Sequence, residues 1–229
     1  MRRLMIAVTV AVLTAAPLFA QERGVPDAKG YVTGLGGFAT SVGNTTGNVL
    51  LEGGVRIAPH VMVFGNLGRF GDLKGELQPT LDGTTAALAA NQGLTVIGDG
   101  SMPAWYGVGG LRVEVPIRAR VLPYVFGGFG VARLKPNPQL TFSSGTMPDG
   151  SSVDVGTDVT AALVSAGDFA APPATTASMF TLGGGVQVPV APHWVVDTGY
   201  RYARIAADST LGTSPLNANG MTFGFGYRF

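Results

Sequence analysis

Asn219-Gly220-Met221-Thr222-Phe223-Gly224-Phe225-Gly226-Tyr227-Arg228-Phe229 is the stretch on which the reading of this chain turns. Met221, Phe223, Phe225, Tyr227 and Phe229 fall on one side of an extended backbone, and Gly220, Thr222, Gly224, Gly226 and Arg228 on the other. A period of two is the side-chain period of a β-strand. One face of this strand is large and apolar, and the other is minimal or polar. Trp105 to Val115 repeats the pattern, with Trp105, Leu111, Val113 and Val115 opposing Tyr106, Val108, Arg112 and Glu114. Phe180 to Val190 and Val49 to Ile57 follow it as well. The charges in these segments, Glu52, Arg56, Arg112, Glu114 and Arg228, lie opposite the rows of large apolar residues.

Composition sets the limits around this pattern. The 229 residues include 35 Gly, 15 Pro and no Cys, so Gly plus Pro is 50/229, about 22%. Without cysteine there is no disulfide framework, thiolate zinc site, iron–sulfur cluster or thiol nucleophile. With 46% hydrophobic and only 13% charged residues, the chain is neither disordered nor built to bind nucleic acid. The glycines follow no G-X-Y period, which excludes collagen. The longest charge-free stretch, Phe169 to Val196, is broken by Pro172-Pro173, Gly183-Gly184-Gly185, Pro189 and Pro192, so it is no transmembrane helix.

Residues 1–20 read separately. Arg2 and Arg3 precede an apolar stretch from Leu4 to Ala16, and Pro17-Leu18-Phe19-Ala20 ends it at a small residue, the pattern of a secretory signal peptide. The mature chain is then expected to be residues 21–229, one barrel domain. It would carry 15 − 2 = 13 Lys+Arg against 14 Asp+Glu, a net charge of −1 that calls for no polyanionic partner.

Eight strands are predicted, at 30–40, 48–58, 61–71, 104–115, 121–133, 178–190, 194–205 and 219–229. Their connections alternate in length. Ala58-Pro59-His60, Pro116 to Arg120 and Ala191-Pro192-His193 are short, Pro-marked turns, whereas 41–47, 72–103, 134–177 and 206–218 are longer loops. Short turns at one end and long loops at the other, with an even strand number, predict an all-β, eight-stranded antiparallel transmembrane β-barrel with periplasmic turns and extracellular loops. A soluble sandwich would need charges on its solvated faces, yet Val121 to Ala132 holds none. Inward glycine fits a lumen so narrow that side chains fill it. Short helices are predicted at Ala86–Gln92 and Val159–Gly167 within the two longest loops.

The inner face is expected to carry Glu52, Arg56, Arg112, Glu114, Asp197, Arg201 and Arg228, three acids against four arginines. An ion-pair network plugging the lumen is favoured over a polar, gated path, because unpaired charge in a narrow interior is costly. Tyr31, Trp105, Tyr124, Trp194, Tyr200, Tyr202 and Tyr227 are expected in interfacial girdles. The two histidines, His60 and His193, fall in short turns away from the outer rim, and no G-x-S-x-G elbow or metal-ligand spacing accompanies them. No enzyme activity, cofactor or metal is expected. Asp149, Asp154, Asp158 and Asp168 face only Lys135 across 134–177, which reads as an acidic, solvated loop.

Three motifs carry a family resemblance: Pro123-Tyr124-Val125-Phe126-Gly127-Gly128-Phe129-Gly130, Asp197-Thr198-Gly199-Tyr200-Arg201-Tyr202 and Phe223 to Phe229. With the leader and the eight strands, the chain resembles the small outer-membrane barrels of the OmpA/OmpX and opacity-protein type. It departs from them in its two very long loops and in showing no peptidoglycan-binding domain after the last strand. The resemblance implies that Phe225, Tyr227 and Phe229 form the signal read by the barrel-assembly machinery. It implies a monomer in the Gram-negative outer membrane, in contact with lipid and lipopolysaccharide, and no nucleic-acid partner. The expected role is structural or a surface interaction of the adhesion type, with 72–103 and 134–177 meeting an unknown partner. A narrow porin-like channel is the alternative, and a secreted soluble barrel binding an apolar ligand is a second.

Overall fold

A computed structural model describes residues 28–41, 44–74, 77–115, 117, 120–206 and 215–229; the expected signal peptide lies outside them. Among the described residues ten strands and two helices follow one another: β1 (Gly30–Ser41), β2 (Asn44–Ala58), β3 (Val61–Phe70), α1 (Leu77–Gln92), β4 (Thr95–Ser101), β5 (Ala104–Glu114), β6 (Leu122–Leu134), β7 (Asn137–Ser144), α2 (Thr160–Ala166), β8 (Thr175–Pro189), β9 (Trp194–Ile205) and β10 (Leu216–Arg228). Eight strands close into an antiparallel barrel in the order β1-β10-β9-β8-β6-β5-β3-β2, while β4 and β7 pair only with each other. The barrel closes where β1 meets β10, in register from Tyr31 opposite Arg228 to Thr40 opposite Asn219. At the seam the Gly30 amide donates to the Phe229 carbonyl at 2.9 Å and the Phe229 amide to the Gly30 carbonyl at 3.0 Å. Closure leaves no unpaired edge for lipid to meet.

The strand period of two becomes an inside and an outside. Leu51, Leu67, Trp105, Phe129, Val131, Phe223 and Phe225 point outward and stay exposed, Phe129 by 73% and Leu67 by 71%. A soluble protein of this size would not leave such a continuous apolar band in water. From Val115 to Trp105, both outward on or beside β5, lie ten residues, about 33 Å along the strand and about 25 Å of height at a tilt near 40°. That is the height of an outer-membrane apolar belt.

Inward glycines make the narrow tube possible. Tyr31 lies directly opposite Gly54, and its ring occupies the space a Cβ there would need; Tyr106 covers Gly68 in the same way. Tyr124 and Phe126 do likewise over Gly185 and Gly183. Each ring lies flat across the neighbouring strand instead of projecting into a tube too narrow to hold it upright.

These rings correct the girdle. Tyr31 is fully buried and Tyr124 nearly so, each on an inward position just before an outward valine, Val32 and Val125. Trp105, Trp194, Tyr200 and Tyr227 do face out. The parity of each strand decides the face, and two tyrosines near strand ends fall on its inner side.

The two longest connections are partly folded, and the barrel strands reach further into the others than the sequence suggests. Strand β1 runs to Ser41 and β2 starts at Asn44, β8 and β10 begin above the expected points, and α1 starts at Leu77, nine residues before Ala86. Strands β4 and β7 and helices α1 and α2 make a small cap on the outer mouth, with Leu77, Leu81, Leu88, Val96, Leu140, Phe142 and Leu163 buried within it. Helix α2 matches its predicted place and ends at Gly167 with φ +84°, a left-handed residue that suits glycine.

Candidate functional site: the barrel lumen

All seven charges expected on the inner face occupy one stretch of the lumen. Glu52 on β2 accepts the Tyr31 hydroxyl at 2.9 Å and Arg201 Nη2 at 2.8 Å, and Asn66 Nδ2 at 3.4 Å. Arg112 on β5 lies 3.5 Å from Glu52 and 3.9 Å from Asp197. Its guanidinium sits between the Tyr31 and Tyr124 rings, 4.5 and 3.5 Å from their centroids. Asp197 accepts the Tyr124 hydroxyl at 2.6 Å and Gln187 Nε2 at 2.7 Å. Nearer the short turns, Arg228 meets Glu114 through both terminal nitrogens at 2.9 and 3.2 Å and donates to Gln187 Oε1 at 2.6 Å. Arg56 completes this layer at 3.1 Å from Glu114 and donates its Nε to the Ala28 carbonyl at 2.9 Å.

Tyr31, Glu52, Asn66, Arg112, Tyr124, Gln187, Asp197 and Arg228 come from β1, β2, β3, β5, β6, β8, β9 and β10, so every barrel strand contributes to the network. Arg112 is fully buried yet donates no hydrogen bond of ordinary geometry. Two aromatic faces and two carboxylates hold its charge instead, contacts that are stronger in a desolvated site than in water and that offset the cost of burying the ion. Arg201 sits likewise 4.3 Å over the Phe126 ring.

Sequence reasoning picked out the charges and missed their neutral partners. Tyr31, Asn66, Tyr124 and Gln187 share the inward parity of the charges, and that parity was the signal available. Tyr31 and Tyr124 each face a glycine on the next strand, which marks a ring that lies down inside.

Above the charged stretch the lumen changes character. A Phe70–Tyr106 ring pair at 4.8 Å, with the Tyr106 hydroxyl on Asn48 at 2.9 Å, forms the boundary. Beyond it Ala104, Ala132, Leu134, Ala177, Met179, Ala203, Ile205 and Ala218 line the mouth, all buried. They join Leu73, Met102 and the cap interior in one continuous apolar core. Asp72 anchors the cap: one carboxylate oxygen accepts the amides of Lys74 at 3.0 Å and Met102 at 2.7 Å. Its own amide donates to the Thr46 hydroxyl at 2.6 Å.

The loop aspartates do local work rather than forming a cluster. Asp149 accepts the Ser151 hydroxyl and amide, and Asp158 those of Thr160, and these bonds hold both carboxyls below the usual range. Asp168 accepts Gln92 Nε2, tying the end of α1 to the segment after α2. Phe225, Tyr227 and Phe229 point outward in a ladder with Trp194, which stacks 5.1 Å from Phe225. His193 Nδ1 lies 3.0 Å from the Arg228 carbonyl, and His60 occupies the β2–β3 turn at φ +65°.

A family model for the outer membrane protein beta-barrel domain matches residues 5–229. The chain belongs to that family. Solved outer-membrane barrels share the architecture. Neisserial surface protein A superposes with a TM-score of 0.53 at 13% identity, covering 88% of this chain and 98% of the other. The attachment invasion locus protein Ail of Yersinia pestis gives 0.45 at 14% identity, covering 87% and 97%. The N-terminal barrel domain of Pseudomonas aeruginosa OprF gives 0.46 at 8% identity, covering 90% and 100%. A search of curated protein sequences returns no match. Membership of this family places the barrel in the outer membrane of a Gram-negative envelope, with its apolar belt in lipid.

Proposed function

We propose that this chain is a non-conducting outer-membrane barrel whose folded cap is a surface-interaction module of the adhesion type. One observation carries the reading: the apolar core of the lumen mouth runs without interruption into the cap. An ion crossing the barrel would have to part the Glu52–Arg112–Asp197 layer and then a dry layer of alanine, leucine and methionine. Hydrophobic constrictions close to ions by excluding water, and an eight-stranded lumen is just wide enough for side chains to fill. A connection that is folded, packed and held outside the membrane on a rigid barrel is placed to meet a partner.

The reading is also non-enzymatic. Among the described residues, His60 and His193 both sit in turns at the end opposite the cap, and neither hydrogen-bonds a serine, aspartate or glutamate side chain. The outward ladder of Phe225, Tyr227 and Phe229 suits the assembly-signal role, since lipid-facing aromatics on the closing strand are free to be read before closure.

The test is conductance. The purified full chain, refolded and inserted into planar bilayers, is expected to give no steady open state. A stable unitary conductance would overturn the plug and favour the narrow-channel reading.

A further inference from the structure

The lipid-facing wall is not uniform. An open-sided groove of about 430 Å³ crosses the outer half of β1, β2, β3 and β5. Register fixes its shape: Gly36, Val49, Arg69 and Trp105 lie side by side in one row, and Gly34, Leu51, Leu67 and Gly107 in the next row toward the short-turn end. On the far side of the glycines, β10 sets Phe225 opposite Gly34 and Phe223 opposite Gly36. The result is an apolar trough walled by large side chains, in the size range of a ligand pocket.

The head of the trough is charged. Arg69 and Arg133 are both exposed and both stand directly opposite Trp105, one from β3 and the other from β6. Arg69 lies 5.6 Å over the Trp105 ring. Among the described residues neither arginine is in an ion pair. With strands about 4.8 Å apart, the two backbones stand about 10 Å from each other. They sit at the outer edge of the apolar belt, where a headgroup lies.

We propose that this groove is a binding site for a multiply acylated, phosphorylated glycolipid of the outer leaflet, with an acyl chain in the trough and phosphate on Arg69 and Arg133. Charge complementarity selects the occupant. Two unpaired guanidiniums flanking an indole at headgroup height call for more than one anionic oxygen group, and guanidinium is the side chain that pairs phosphate bidentately. Guanidiniums on backbones about 10 Å apart, with an indole between them, are spaced to take two separate phosphates, which a lipid with a single phosphate does not carry. The trough below is apolar on both walls, so it takes hydrocarbon and not sugar. The site rests on the outward face alone, so it stands whether or not the lumen conducts.

Trp105 is itself the reporter. The chain has two tryptophans, so Trp194→Phe leaves Trp105 as the single fluorophore. Refolded in phosphatidylcholine vesicles doped with increasing bis-phosphorylated, hexa-acylated lipid A, this variant is expected to show a saturable emission change. Arg69→Ala with Arg133→Ala should move the midpoint about tenfold toward higher lipid A. Gly36→Leu, whose added side chain enters open space outside the barrel, should abolish saturation while the folded protein keeps its heat-dependent gel shift. Gly34→Leu, equally unobstructed, is the second filling variant. An unchanged midpoint in the double arginine variant, unaffected binding in both filled-groove variants, or an equal midpoint with phosphatidylglycerol would each overturn the proposal. The last would identify an ordinary anionic lipid annulus in place of a glycolipid site.

Discussion

In the lower lumen Glu52, Arg56, Arg112, Glu114, Asp197, Arg201 and Arg228 fill the tube with charge; in the upper lumen the same inward positions are Ala104, Ala132, Leu134, Ala177, Met179, Ala203, Ile205 and Ala218. The difference lies in where the filling comes from. Below, only the strands themselves can reach the axis, so long side chains extend inward, and long polar ones must find partners there. Above, five of the eight inward residues are alanine, and the cap fills the mouth from outside with Leu73 and Met102. The lower half ties the barrel strands to one another, and the upper half ties the barrel to its cap. Damage to each should therefore fail in its own way.

Glu52→Ala should be the most damaging single change. It removes the carboxylate that faces Arg201 at 2.8 Å and Arg112 at 3.5 Å and leaves two buried guanidiniums with one fewer partner. Breaking a buried pair from one side costs about 3–5 kcal/mol. Urea unfolding of the full chain in liposomes, followed by gel mobility, should show the whole barrel losing stability together. Leu134→Ala, at the top of β6 and fully buried, should cost about 3 kcal/mol through the cavity it leaves. Its signature is different: in intact vesicles, protease added outside should cut the segment from 135 to 174 faster, while the barrel keeps its folded mobility. A variant of Leu134 that unfolded barrel and cap as one unit would erase the distinction between the halves.

How much of this was legible in the sequence follows the same divide. The period of two in residues 219–229 and 105–115 sorted inside from outside because each strand obeys it alone, without knowledge of its neighbours. The seven lumen charges were readable for the same reason. The flat-lying tyrosines were not, since the space that holds Tyr31 exists only because Gly54 on the next strand faces it, and cross-strand register is invisible in one strand. The cap was hidden for a further reason. Its strands β4 and β7 are about forty residues apart in the chain and pair only with each other, and Ser/Thr/Gly/Pro composition in 134–177 resembles that of a solvated loop. The weakly periodic start of α1, through Pro79 and Gly83, made only its alanine-rich end look helical.

Smaller changes sharpen the comparison from within the charged half. Tyr124→Phe keeps the ring over Arg112 and against Gly185 and removes only the hydroxyl that donates to Asp197 at 2.6 Å. Hydrogen bonds to charged groups contribute about 1.5–3 kcal/mol, and Asp197 retains Gln187, so a loss of about 2 kcal/mol is expected in the same liposome titration. A much larger loss would mean that the ring had moved as well, which a matching change in near-ultraviolet circular dichroism would detect.

The smallest effect belongs to a pair of the same chemistry in the other environment. Lys74 donates to Asp99 at 3.3 Å on the cap, with side chains 37% and 74% exposed, whereas Arg112 and Glu52 are 0% and 3% exposed at a similar separation. Water already solvates both partners on the cap, and holding two side chains in one geometry costs entropy that a screened attraction barely offsets. Lys74→Ala should therefore shift cap protease sensitivity by no more than about 0.5 kcal/mol, and added salt should remove even that. Inside the lumen salt cannot reach the pair, so the cost of Glu52→Ala should be the same at low and high ionic strength. If the two variants responded alike to salt, the lower lumen would have to be wet and open to ions, and charge pairing would not be what closes it.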